Sequence, residues 1–212
     1  MTWQPTLPQE IEAESFRRIE ALAGSHQFPP EVWGVVRRMI HTSGDFDYLK
    51  TVRCHPQAIP AGIEALRRGH LVGTDTRMLQ AGISTGRLGR LGVEVICLMD
   101  HPEVAQEAAR QGTTRAAVAM EQALPRLAGG IVAIGNAPTA LLRLLELLAA
   151  GAPPPALIVG LPVGFVNAAE SKEALTRQSC PYITALGIKG GSALAASVVN
   201  ALAQMALEEM PS

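Results

Sequence analysis

The sequence predicts an α/β protein, built as a three-layer sandwich. We expect a mostly parallel central sheet of about five strands with helices on both faces. Short apolar runs next to glycine alternate with longer stretches of helical periodicity. Hydrophobic residues make up 48% of the 212 residues, enough for a sizeable core. Strands that are apolar throughout are typical of a parallel sheet covered on both faces.

Each element follows from one of these runs. The predicted strands are the runs at 71–73, 93–98, 131–134, 156–159 and 182–185. The predicted helices between them lie at 57–68, 102–111, 114–124, 137–150, 167–177 and 191–208, and two more precede the sheet at 8–23 and 30–42. This length fits one domain over 1–212, with N-terminal helices in 1–43 and an α/β unit in 44–208.

Composition argues against several classes of partner. Lys and Arg number 18 against 19 Asp and Glu, so bulk charge favours neither nucleic acid nor an anionic membrane. No run approaches the ~20 apolar residues of a membrane span. The polar, acidic N-terminus is unlike a secretory signal. The three cysteines form no CxxC motif, which predicts a reduced, cytoplasmic protein without a disulfide framework.

Four glycine-containing loops each follow a strand and open a helix. They are GTDT (73–76), GNAPT (135–139), GLPVGFVNAAES (160–171) and LGIKGGSALAAS (186–197). Ligands of open α/β sheets bind beyond the carboxyl ends of the strands, and helix N-termini favour anions. These loops therefore predict a crevice for an anionic ligand, although ordinary capped loops remain an alternative. None has the spacing of a Walker A or GxGxxG loop.

His41 lies within the stretch RRMIHTSGDFDY (37–48). On a helix it falls opposite an apolar stripe, with Arg37 and Arg38 on its own side at spacings that bring side chains together. This placement suits a histidine that donates a proton when an acidic substrate binds. The alternative is that His41 simply lies at a solvated helix end among scattered charges. A metal site is only weakly indicated. Asp45, Asp47, Cys54 and His55 lie close to His41 in sequence, but no HxxxH, HxH or HExxH spacing joins them to it.

Motifs along most of the chain resemble one family. They are ESFRRIE (14–20), RRMIHTSGDFDY (37–48), GTDTRMLQAGI (73–83), TTRAAVAM (113–120), GNAPTAL (135–141), GLPVGFVNAAESKEAL (160–175) and GIKGGSALAASVVNAL (187–202). In this order they resemble the precorrin-8X methylmutases, also called cobalt-precorrin-8 methylmutases, over roughly residues 9 to 205. The long segments NAAESKEAL and KGGSALAA, in this order, are highly specific.

The resemblance implies an isomerase of cobalamin biosynthesis. Members of the family move a methyl group between adjacent ring C carbons of precorrin-8X or cobalt-precorrin-8, giving hydrogenobyrinate or cobyrinate. The reaction needs no cofactor, no nucleophile and no protein-bound metal. The substrate is a corrinoid polycarboxylate, and the family's enzymes are homodimers that hold it near the subunit interface. A non-catalytic tetrapyrrole carrier and a nucleotide-dependent transferase are the alternatives.

The resemblance also implies roles for single residues. His41 matches the family's proton donor or acceptor, and Arg38 and Ser15 match substrate-binding residues. Further substrate contacts are expected from Arg115, Asn136 and Lys189. Two expectations come from the residues themselves. On its helix Ser15 falls among Ile11, Ile19 and Leu22, which predicts that it points inward, and Asp75 is expected to cap the helix that follows its own strand.

Overall fold

The computed structural model describes residues 7–100 and 103–208. It contains a six-stranded sheet in the order β1-β6-β5-β4-β2-β3. The strands are β1 (Val52–Cys54), β2 (Val72–Thr74), β3 (Val95–Cys97), β4 (Ile131–Ile134), β5 (Leu157–Gly160) and β6 (Tyr182–Ala185). Five of them are parallel, and β1 pairs antiparallel with β6 at the edge. The predicted mostly parallel sheet is confirmed, with one additional strand.

Eleven α-helices lie in the described residues. They are α1 (Pro8–Ala23), α2 (Pro30–Ser43), α3 (Tyr48–Thr51), α4 (Ala58–Arg67), α5 (Arg77–Gly82), α6 (Thr85–Arg90), α7 (Val104–Gln111), α8 (Arg115–Ala123), α9 (Pro138–Ala149), α10 (Ala168–Leu175) and α11 (Ser192–Glu208). Eight match predicted helices, and α3, α5 and α6 were not predicted. The predicted start of one helix at residue 102 lies outside the described residues.

The sheet separates two hydrophobic cores. Side chains alternate along each strand, so that Ile131 and Ala133 of β4 enter one core while Val132 and Ile134 enter the other. The first core is shared by α2, α4, α5, α6 and α11. The second is shared by α7, α8, α9 and α10. This arrangement is the three-layer sandwich that the apolar strands predict.

Helix α11 lies at the centre of the first layer, and its residues are buried on most sides. Small residues let its neighbours approach closely. A Cβ atom added at Gly82, the last residue of α5, would lie 2.9 Å from the Cβ atom of Ala196. That close approach brings the end of α5 and the start of α6 against the first turns of α11. The candidate site lies at this meeting point.

Candidate functional site

Helix α2 presents His41 to solvent near its C-terminus. Its apolar stripe, Val35, Val36, Met39 and Ile40, is buried, whereas His41 is exposed. The helix ends at Gly44, whose φ of 69° is left-handed and whose N–H donates to the carbonyl of Ile40. The expectation that His41 leaves the apolar face of its helix is therefore confirmed.

The Phe16 ring of α1 joins the basic residues around His41. The Cζ atoms of Arg37 and Arg38 lie 4.3 and 4.7 Å from its centroid, distances typical of cation–π contacts. The His41 ring meets it edge-on, with centroids 5.4 Å apart. Sequence reasoning missed Phe16, because only the packing of α1 on α2 brings it to the histidine.

Two carboxylates of α1 neutralise these arginines. Glu12 forms a salt bridge with Arg38, and Glu20 forms one with Arg37. The hydrogen bond from Arg38 lowers the pKa of Glu12, and the positive charges of Arg38 and Arg87 lower it further. Arg37, which had no expected role, therefore fastens α1 to α2.

Arg38 and His41 share a pocket of about 290 Å³. Four helices line it, through Arg38, His41 and Thr42 of α2, Gly82 of α5, Arg87 of α6, and Ala193, Ala196, Ser197 and Asn200 of α11. The Asn200 side chain fixes the connection between α5 and α6, because it accepts from the N–H of Ser84 at 2.7 Å and donates to the Gly82 carbonyl at 2.9 Å. The pocket thus has two guanidinium groups and one imidazole in its walls.

Lys189 lies in the loop before α11, beside the segment that follows α2. Its ammonium nitrogen is 2.6 Å from a carboxylate oxygen of Asp45 and 2.6 Å from one of Asp47. These hydrogen bonds raise the pKa of Lys189 above its ordinary value. The two aspartates that lacked an expected role hold this lysine, and Lys189 does not line the pocket of His41.

Lys172 of α10 is fully buried, which sequence reasoning missed. Its Nζ atom donates a hydrogen bond to the carbonyl oxygen of Lys189 at 2.7 Å. Burial lowers the pKa of Lys172 to about 8. The same loop passes so close to its neighbour that a Cβ atom at Gly190 would lie 2.2 Å from the Leu161 carbonyl oxygen. Lys172 and Gly190 therefore fix the path of the loop that carries Lys189.

Asp75 does not cap the helix that follows its own strand. Its carboxylate accepts hydrogen bonds from the N–H groups of Gly135, Asn136 and Ala137 at 3.1, 2.8 and 2.8 Å, in the loop that leads from β4 into α9. Thr76 caps α5 instead, by accepting from the N–H of Leu79. The expectation for Asp75 was wrong, because β2 and β4 are neighbours and their loops meet. Burial raises the pKa of Asp75, although these three N–H groups act in the opposite direction.

The remaining predicted contacts lie outside the pocket. The Ser15 hydroxyl donates to the Ile11 carbonyl of its own helix at 2.7 Å. Ile19 is buried, but Ile11 and Leu22 are 52% and 72% exposed, so the inner stripe expected around Ser15 is wrong for those two. In the opposite layer, Arg115 begins α8, and Asn136 follows β4, both with exposed side chains.

Within 7–100 and 103–208, no group of three or more His, Cys, Asp or Glu residues has the arrangement of a metal site. Over the same residues, none of the helices combines the length and apolar character needed to cross a bilayer.

Comparison with known proteins shows which family this chain resembles. A family model described as precorrin-8X methylmutase matches residues 10–205. The chain is 45% identical to the cobalt-precorrin-8 methylmutase of Priestia megaterium, over 94% of this chain and 88% of that protein. It is 46% identical to the precorrin-8X methylmutase of Pseudomonas aeruginosa, over 92% of this chain and 94% of that protein.

A solved structure agrees with these matches. The fold superimposes with a TM-score of 0.87 on the crystal structure of the precorrin-8X methylmutase from Thermus thermophilus. The two chains are 43% identical, and the match covers 94% of this chain and 98% of the other. With the family model matched over nearly the whole length, the chain belongs to the precorrin-8X methylmutase family, whose members are isomerases.

Proposed function

We propose that this protein moves a methyl group between adjacent ring C carbons of precorrin-8X or cobalt-precorrin-8, with His41 as proton donor or acceptor. The observation that carries the proposal is that His41 and Arg38 line one pocket. A guanidinium group binds a substrate carboxylate by paired hydrogen bonds. The imidazole then donates a proton or hydrogen bond to the ring C nitrogen, which draws electron density from the ring and eases migration of the methyl group.

The size of the pocket limits what it holds. Pockets for drug-sized ligands measure roughly 300–1,000 Å³, and a corrinoid with its acetate and propionate side chains is larger than such ligands. A pocket of about 290 Å³ therefore accepts one edge of the substrate. We infer that ring C and its side chains form that edge, and that the rest of the macrocycle lies over the loops at the carboxyl ends of the strands.

We also propose that the protein acts as a homodimer in the cytoplasm. Large apolar side chains are exposed at the carboxyl ends of the strands, namely Val163, Phe165 and Val166 after β5, Ile188 after β6 and Met78 on α5. The N–H of Gly164 donates to the Ile188 carbonyl, so two of these loops form one continuous surface. Contiguous apolar surface of this kind is typical of an interface. A second subunit there would cover the part of the substrate that the pocket leaves exposed.

The reaction is tested by incubating the protein with precorrin-8X and with cobalt-precorrin-8 and following the absorption spectrum. Both substrates are needed, because relatives named for each are equally similar to this chain. Replacing His41 by Ala is expected to lower kcat roughly 10²- to 10⁴-fold and to leave product binding within a few-fold. Turnover by His41→Ala at the wild-type rate would contradict the role of His41. Binding without turnover by the wild-type protein would favour the carrier.

A further inference from the structure

Arg87 is a basic residue of the His41 pocket that the proposed reaction leaves without a role. It lies on α6, whereas Arg38 and His41 lie on α2, so the pocket has guanidinium groups on two different walls. The charge of Arg87 also reaches the carboxylate of Glu12, which is the anion that Arg38 binds in this structure. The positive charges of Arg38 and Arg87 therefore already act together on one carboxylate, that of Glu12.

The side chain of Arg87 is held at its base. Its Nε atom donates to the Oε1 atom of Gln204 on α11 at 2.9 Å. The backbone beneath it is fixed as well, because the Ser84 hydroxyl accepts from the N–H of Arg87 at the start of α6. Across residues 7–100 and 103–208, no carboxylate forms an ion pair with Arg87. Its terminal nitrogens keep the paired donors that match a carboxylate.

We propose that Arg87 is a second carboxylate anchor, which binds a side-chain acetate or propionate of the corrinoid while Arg38 binds another. This inference rests on the proposed function. One anchor would let the bound edge rotate about a single contact. Two anchors on different helices hold that edge in one orientation relative to His41, and orientation is what a directed proton transfer requires.

The test compares Arg87→Gln and Arg87→Lys with Arg90→Gln, a matched control on the exposed side of α6. The probes are cobyrinate and a derivative in which its carboxylates are amides. Loss of a charge-assisted pair predicts that Arg87→Gln binds cobyrinate roughly 10- to 100-fold more weakly. Arg87→Lys should recover part of that loss, and Arg90→Gln should bind as the wild type does. The amide derivative should bind the wild type and Arg87→Gln equally, with unchanged thermal midpoints.

Other outcomes separate the two proposals. If the wild type binds cobyrinate and Arg87→Gln binds it as tightly, the anchor is overturned and the proposed function stands. Equal weakening of the acid and the amide would also overturn it, because that result indicates a structural role. A wild-type protein that binds no corrinoid overturns both. If Arg87→Gln does not fold, Gln204→Met removes the supporting hydrogen bond, together with the exposed bond from Gln204 to Glu208. This variant is expected to weaken binding of the acid and not of the amide.

Discussion

Glu12 and Arg38 form a salt bridge at the pocket that His41 lines. Arg38 is also the residue expected to bind a substrate carboxylate. Under the proposed function, the carboxylate of Glu12 and an incoming corrinoid carboxylate would compete for this one guanidinium group.

Replacing Glu12 by Gln should strengthen substrate binding. A partly exposed ion pair contributes about 0.2–1 kcal/mol, so its removal predicts a KM that is roughly 1.4- to five-fold lower. Glu14→Gln is the matched control, because Glu14 pairs with Arg17 and Arg18 of the same helix. Steady-state kinetics would check the prediction, and an unchanged or higher KM for Glu12→Gln would contradict it.

The buried carboxylate of Asp75 predicts a loss of stability for Asp75→Asn. The amide has the size of the carboxylate but only one accepting oxygen, and its NH₂ group would face N–H donors of residues 135–137. A buried donor left without a partner costs about 1–3 kcal/mol of unfolding free energy. Urea unfolding measures the change, with the exposed Glu103→Gln as control. Equal stability of Asp75→Asn and the wild type would show that these hydrogen bonds contribute nothing.

Lys172 predicts a specific dependence of stability on pH. Its pKa falls to about 8 in the folded protein from an ordinary value of 10.5. Between these values the unfolded chain binds more protons than the folded protein, so the Lys172 contribution to stability rises with pH. Replacing Lys172 by Met removes that contribution. The stability of the variant relative to the wild type should therefore decrease from pH 8 to 10.5.

Denaturant unfolding at several pH values checks this dependence. Lys50→Met, at an exposed lysine of α3, controls for the ordinary titration of surface lysines. Parallel pH profiles for Lys172→Met and the wild type would mean that Lys172 titrates as a solvated lysine does.

The exposed apolar loops predict how the protein assembles. Phe165 is 87% exposed and belongs to the surface that we propose as the dimer interface. A charge at this position is costly once a second subunit covers it, so Phe165→Asp should shift the dimer towards monomer. Light scattering after size-exclusion chromatography gives the mass, with Leu22→Asp as control at an exposed leucine of α1. A monomeric wild type, or an undiminished dimer of Phe165→Asp, would count against the interface.

The sheet could be predicted because its parallel strands are short, continuous apolar runs. Strand β1 was missed since it has three residues and an exposed Arg53 at its centre. Helices α5 and α6 were missed for a related reason. Each has six residues, and glycines at 82, 86 and 89 interrupt any helical pattern. These helices exist because they pack against α11, and a local pattern contains no such information.

The residues of the candidate site also differ in how far the sequence could predict them. Arg38 and His41 are three residues apart on one helix, so spacing alone brought them together. Arg87 and its support Gln204 are separated by 117 positions, and only the fold joins them. Lys172 was unpredictable for another reason. It lies in a charged segment typical of a solvated helix, and the loop that buries it comes later in the chain.

The hydrogen bonds of Asp75 bear on which anions can bind at the carboxyl ends of the strands. In doubly wound folds, the crevice between two strands that diverge in order is where nucleotide phosphates commonly settle, on the free N–H groups of a helix. Here the carboxylate of Asp75 occupies the N–H groups of the loop that leads into α9. To bind these N–H groups, the phosphate of a nucleotide would have to displace a carboxylate that belongs to the protein itself. The loop between β4 and α9 is thus closed to a phosphate group by a side chain of the protein itself.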